Sequence, residues 1–111
     1  MEENNYVIFK KQYGNIKHPR VKELSINLNG VKIYEKEQSM IINIIVPVED
    51  STKTIQYFEE FNLGEDIHFN IAGTGDFECI FRGISPMIDK NSYSSFSITV
   101  QEKEAQDQMK G

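Results

Sequence analysis

The sequence predicts a mainly β fold: an antiparallel β-sandwich or partly closed β-barrel of six to seven strands, with one short helix inserted between the central strands. Three observations predict it. Short runs of alternating apolar and polar residues recur along the chain, the period-two pattern of strands with one buried face. A single segment, Thr52 to Asn62, departs from that period and repeats its apolar residues at spacing three. The whole chain has 111 residues, which is room for one domain that buries about two-thirds of its surface. Residues 1–111 are therefore read as one domain with an ordered core over about 5–102. The polar stretch 103–111 is expected to fray.

The elements follow in order. Tyr6 to Lys10 reads as a strand added at a sheet edge. Leu24, Ile26 and Leu28 alternate with polar residues up to Asn29-Gly30, and Val31 and Ile33 alternate beyond it. An Asn-Gly pair between two such runs predicts a two-residue hairpin turn with positive φ at both centres, pairing Leu28 with Val31. Ser39 to Val48 differs in kind: Met40, Ile42, Ile44, Val46 and Val48 share one face, and Ile41 and Ile45 flank Asn43 on the other. Apolar residues on both faces predict a strand covered from both sides, by a helix of the same chain or by a neighbouring subunit.

The helix of Thr52–Asn62 places Ile55, Phe58 and Phe61 on one stripe with Tyr57 beside them. Asp50 or Ser51 supplies the N-cap oxygen and Gly64 a left-handed stop. About eleven residues of helix are marginal alone and need packing. Three strands complete the chain, around Ile67–Ile71, Phe77–Ile84 and Phe96–Val100. A tight turn at Gly73–Asp76 joins the first two, and a longer polar connection, Ser85–Ser92, joins the last two.

Seventeen acids against twelve Lys and Arg give a net charge of −5. That argues against general phosphate or nucleic-acid binding. The distribution is uneven. Lys10, Lys11, Lys17, Arg20 and Lys22 form a basic run with His18 and no acid, whereas Glu49, Asp50, Glu59, Glu60, Glu65 and Asp66 form an acidic run broken by Lys53 alone. These are candidate charged contact poles, through which copies could associate head to tail. The longest apolar stretches, Met40–Ile42 and Ile44–Val46, fall far short of the roughly 20 residues of a membrane span. The acidic start lacks the plan of a secretory signal, so a cytoplasmic protein is expected.

Chemistry-bearing residues are sparse. Cys79 stands alone, on the apolar side of its strand, and reads as an inert buried thiol. His18 and His68 belong to no spaced set of metal ligands. Glu59 and Glu60 are neighbours on a helix and diverge by about 100°. Gly73-Thr74-Gly75 lacks the third glycine and following helix of a phosphate cradle. No catalytic residue, metal, cofactor or small-molecule ligand is expected. The partners expected are proteins, in a homo-oligomer or larger assembly, with Ile41, Asn43 and Ile45 as the candidate subunit interface.

Met40–Val48, Ile55–Phe61, Asp66–Ile71 and the Phe81-Arg82-Gly83-Ile84 stretch leading to Tyr93–Val100 resemble, in layout, the tail-tube superfamily over roughly residues 22–102. That superfamily includes phage tail-tube proteins, the type VI secretion needle protein and the barrels of baseplate hubs. The resemblance implies a non-enzymatic protein that assembles into rings, commonly sixfold or pseudo-sixfold, stacked into a tube. It also implies that the two-faced strand helps to form a shared sheet lining a channel. The chain departs from the pattern in its short strand-connecting arm, residues 10–21. The alternative reading is a small acidic inhibitor, of the toxin-immunity or anti-defence type, that masks a basic site on its partner.

Overall fold

A computed structural model of the chain describes residues 5–14 and 17–103. Its elements are β1 (Tyr6–Gly14), β2 (Pro19–Asn27), a 3-10 turn (Leu28–Gly30), β3 (Val31–Lys36), β4 (Ser39–Pro47), a second 3-10 turn (Val48–Asp50), α1 (Ser51–Glu59), β5 (Asp66–Ile71), β6 (Asp76–Ile84), β7 (Ile88–Lys90) and β8 (Tyr93–Glu102). One curled sheet contains every strand, in the order β2-β1-β5-β6-β8-β4-β3, with β7 on β8. All pairings are antiparallel. The fold is the expected mainly β, partly closed architecture, and β7 is a short strand that the polar composition of Ser85–Ser92 concealed.

The Asn29-Gly30 hairpin does not form. Six antiparallel steps separate β2 from β3 in the sheet, so the two strands run in the same direction and sit at opposite edges. Leu28–Gly30 is a 3-10 corner that carries the chain from one edge to the other, held by the Asn29 N–H donating to Asn27 Oδ1 at 2.9 Å. Neither Asn29 nor Gly30 has positive φ. Gly30 is needed for space instead, because a Cβ there would lie 2.3 Å from the Ile45 carbonyl oxygen. The tight hairpin turn lies one connection later, at Glu37, where φ is 58°.

β1 is also not an edge strand. It pairs with β2 along its whole length and with β5 over Val7–Lys10. Beyond Lys10, β1 and β2 continue as a two-stranded ribbon, so the basic segment is a hairpin arm rather than a loop. The tail residues 104–111 lie outside those described.

The core comes from the inward parity of each strand. Val7 and Phe9, Ile42 and Ile44, Ile67 and Phe69, Cys79 and Phe81, Ile98 and Val100 are all buried. β4 ends and β5 begins at the same end of the sheet, and α1 crosses the opening there. Its buried residues are Ser51, Thr54, Tyr57 and Phe58, with Phe61 just beyond, while Ile55 packs only at the margin. Phe58 is fully buried, edge-on to Phe9 at 5.0 Å and tilted against Phe96 at 5.7 Å. Phe61 stacks on Phe81 at 5.4 Å. The Tyr57 hydroxyl donates to the Lys22 carbonyl of β2 at 2.9 Å, tying the helix to the open edge.

Asp50 occupies the N-cap position, but its side chain makes no capping bond. The 3-10 turn feeds the helix directly, with Ser51 Oγ donating to the Val48 carbonyl. Gly64 does adopt φ +89°, but it serves the turn after the helix, where its N–H donates to the Phe81 carbonyl at 2.8 Å.

Candidate interaction surface

The outward side of β3, β4 and β8 is the one broad face with little charge. Three rows cross it in register: Tyr34–Ile41–Thr99, Lys32–Asn43–Ser97, and Ile45–Ser95 extended by Ile88 of β7. Two more flank them: Pro47–Tyr93, extended by Lys90 of β7, and Lys36–Ser39–Gln101. The outward positions of β4 and β8 hold Ser, Thr, Asn, Gln, Ile, Pro and Tyr and no Asp, Glu, Lys, Arg or His. Ile41 and Ile45 are 44% and 37% exposed, and Asn43 is half-buried between them, accepting from Ser97 Oγ at 3.1 Å. The helix therefore does not cover this face. It packs on the opposite, core side of β4, and Ile41 and Ile45 stay in solvent. Tyr34, Ile88 and Tyr93, also exposed, enlarge the apolar area beyond the three residues the sequence singles out. Tyr34 was legible from its parity against Ile33, whereas Ile88 was hidden with β7.

The opposite outward side, on β1, β5 and β6, is unlike it. There Glu23, Lys10, His68 and Glu78 stand in one cross-strand row, and Lys10 reaches Asp76 at 3.6 Å. The two outward sides of the curled sheet thus differ: one carries both signs of charge across its rows, and the other is built mainly of hydroxyl, amide and apolar groups, with Lys32, Lys36 and Lys90 on its flanking strands.

The charged runs meet inside the molecule. Lys11 pairs with Glu65, Lys22 with Glu60 at 3.1 Å, and Lys103 with Asp66 at 3.2 Å. With Asp50, which Lys53 approaches at 3.7 Å, four members of the acidic run are engaged, two of them by the basic run. Glu59 is exposed at the helix end. Lys17 and Arg20 are exposed and make no ion pair with the described residues. Helix-end carboxylates thus act first as anchors for the base of the β1–β2 arm.

The Lys11–Glu65 pair is the best sheltered of these contacts, and Lys11 also lies 4.8 Å over the Phe61 ring. Burial pushes the Glu65 carboxyl up, but the Asn62 N–H it accepts and the Lys11 ammonium outweigh that and hold it below its ordinary value. A depressed folded pKa means stability that is present above the unfolded value, about 4.3, and lost as pH falls through the folded one. Glu65→Gln is expected to cost about 1–2 kcal/mol at neutral pH, as for hydrogen bonds to charged groups. Thermal melts from pH 7 to 3 should show the gap between wild type and variant closing in acid; a gap that stays constant would remove the pair from the stability account.

Cys79 is fully buried, and burial, with Glu102 and Glu78 nearby, pushes its thiol up to about 12. Burial also raises the Tyr57 hydroxyl, helped by Glu23 and Glu60. No group of three or more His, Cys, Asp or Glu among the described residues is arranged to hold a metal ion. No helix among them is long and apolar enough to cross a membrane. No family model, curated protein or solved structure matches the chain.

Proposed function

We propose that this protein is a non-enzymatic structural component of a phage tail or tail-derived injection apparatus, and that copies meet through the outward β3–β4–β8 face. The observation that carries the reading is the face itself. Charged side chains are costly to desolvate and are depleted at the centre of protein contacts, and here the outward positions of two adjacent strands, β4 and β8, hold none. A chain with 26% charged residues concentrates its charge elsewhere. The layout resemblance to tail-tube proteins supplies the class of assembly, in which such a sheet is shared between neighbours and faces a channel. The inhibitor alternative needs a free acidic surface, and the internal pairs of Glu60, Glu65 and Asp66 draw that surface down.

The test is Ile41→Asp, read by light scattering on a sizing column beside a thermal melt. At an exposed position the variant should melt within about 0.5 kcal/mol of wild type and lose the assembled species. A wild-type chain that stays monomeric at high concentration would sink the reading and favour the blocking protein. An Ile41→Asp chain that assembles like wild type would remove this face from the contact.

A further inference from the structure

We infer that the lysine-rimmed β3–β4–β8 face of one chain seats on the outward β1–β5–β6 side of the next, so that copies join through two different surfaces. This rests on the contact proposed at that face and adds what lies across it.

The rim of the face is of one sign. Lys32 and Lys36 stand on β3 and Lys90 on β7. On the remaining side Arg82 of β6 donates to Gln101 Oε1 at 2.9 Å. All four cations are exposed, and none forms an ion pair with the described residues. Of the acids next to them in sequence, Glu35 has inward parity, opposite buried Met40, and Glu37 lies in the turn beyond the strand. Two copies meeting face to face would therefore set rim cation against rim cation, and like charges brought together in a contact are costly. A twofold pairing of the face with itself is disfavoured on that ground, although its uncharged centre would suit one. The surface across the contact is a different one, and it has to supply acids.

The β1–β5–β6 side meets that need. β5 and β4 lie three places apart along the sheet, as do β1 and β8, so the two outward sides look in opposite directions from the curled sheet. The row Glu23–Lys10–His68–Glu78 has an exposed acid at each end, and neither Glu23 nor Glu78 forms an ion pair with the described residues. Lys10, between them, is already held by Asp76 at 3.6 Å. The rows on either side bring Ile8 and Ile80, both outward and half-buried, with Ser25 and Asn70 beside Ile8. Isoleucines and polar uncharged groups beside unpaired acids thus answer isoleucines, tyrosines and hydroxyls beside unpaired bases. Sheets stack face to face in this way within proteins. Because the two surfaces differ, the contact is heterologous, and it propagates from chain to chain until it closes into a ring or continues as a filament.

Two experiments test this. In the first, an excess of Ile41→Asp chain is mixed with wild type and followed by light scattering. That chain has lost its face but keeps its β1–β5–β6 side, so it should cap wild-type assemblies and shorten them. In a face-to-face contact it would find no place, and a wild-type species that persists unchanged overturns the inference. The second uses two reversed chains, Lys32→Glu/Lys36→Glu/Lys90→Glu and Glu23→Lys/Glu78→Lys, with thermal melts to establish that each folds. Wild-type association should weaken about tenfold between about 0.01 and 0.1 M salt. Each reversed chain alone should associate about tenfold more weakly than wild type at low salt. An equal mixture should recover, because every junction then sets acid against base. Wild-type-like association of either reversed chain, or a mixture that does not recover, overturns the pairing of these two sides. Should a reversed chain not fold, Lys32→Gln/Lys36→Gln/Lys90→Gln and Glu23→Gln/Glu78→Gln decide the same point. Each should lose the salt dependence, and its persistence overturns the pairing. A wild-type chain that stays monomeric overturns this inference together with the reading of the face on which it rests, whereas the other failures leave that reading standing.

Discussion

An Ile44→Asp chain is expected to be unfolded at room temperature. Ile44 is fully buried at the centre of β4, opposite Val31 on one side and Phe96 on the other. Its neighbours are apolar, so a carboxylate there would meet no cation and no donor. Burying an uncompensated charge or polar group costs several kcal/mol, and lost packing adds the penalty of a cavity. Domains of this size have about 5–15 kcal/mol in total, so the two effects together exhaust it. Far-UV circular dichroism and a thermal melt check the result. A cooperative melt like that of wild type would overturn the assignment of Ile44 to the core face. The comparison with Ile41→Asp is informative because the two residues sit on opposite faces of one strand.

Phe58→Ala carries the second-largest expected effect. Phe58 is the residue by which α1 closes the end of the barrel, and Phe9, Tyr57, Phe61 and Phe96 surround its ring. Removing a buried phenyl ring costs about 3–5 kcal/mol, and the edge-to-face contacts with Phe9 and Tyr57 contribute beyond area alone. The melting temperature should fall by more than about 10 °C. Ile55→Ala, one turn away but at the margin of the core, should cost about 1 kcal/mol. Equal losses at the two positions would mean that the helix is seated in another rotation.

How much of this was legible in the sequence depends on the range of the interaction. Inward and outward parity on β4, β5, β6 and β8 follows from a period of two, and the burial of Ile42, Ile44, Phe69, Cys79, Phe81, Ile98 and Val100 agrees with it. The helix is legible because its period differs from everything around it. The Asn29-Gly30 turn misleads because local sequence specifies a change of direction and not which strands then pair. The same dipeptide suits a hairpin and a corner, and the choice is made by β1, β4 and β8, which are remote in sequence. The pairing between the charged runs was hidden for the same reason. Opposite charges many residues apart invite a contact between molecules until the fold brings Lys11 to Glu65 and Lys22 to Glu60. The uncharged face was half legible: Ile41 and Ile45 stand out along β4, but the hydroxyl-rich row of β8 beside them becomes a surface only once the two strands are paired.

The place of β8 governs when this chain can become a domain. The last strand of the described residues is not at an edge. It lies between β4 and β6 and also holds β7. Until it arrives, β3–β4 on one side and β2-β1-β5-β6 on the other share no strand. Each is an incomplete sheet with apolar inward residues and an unpaired edge. During synthesis the sheet therefore cannot form as one piece until β8 has been made. Non-local pairing of this kind is slow to find and leaves sticky edges open meanwhile. The nascent chain is consequently most exposed to aggregation just before β8 emerges from the ribosome.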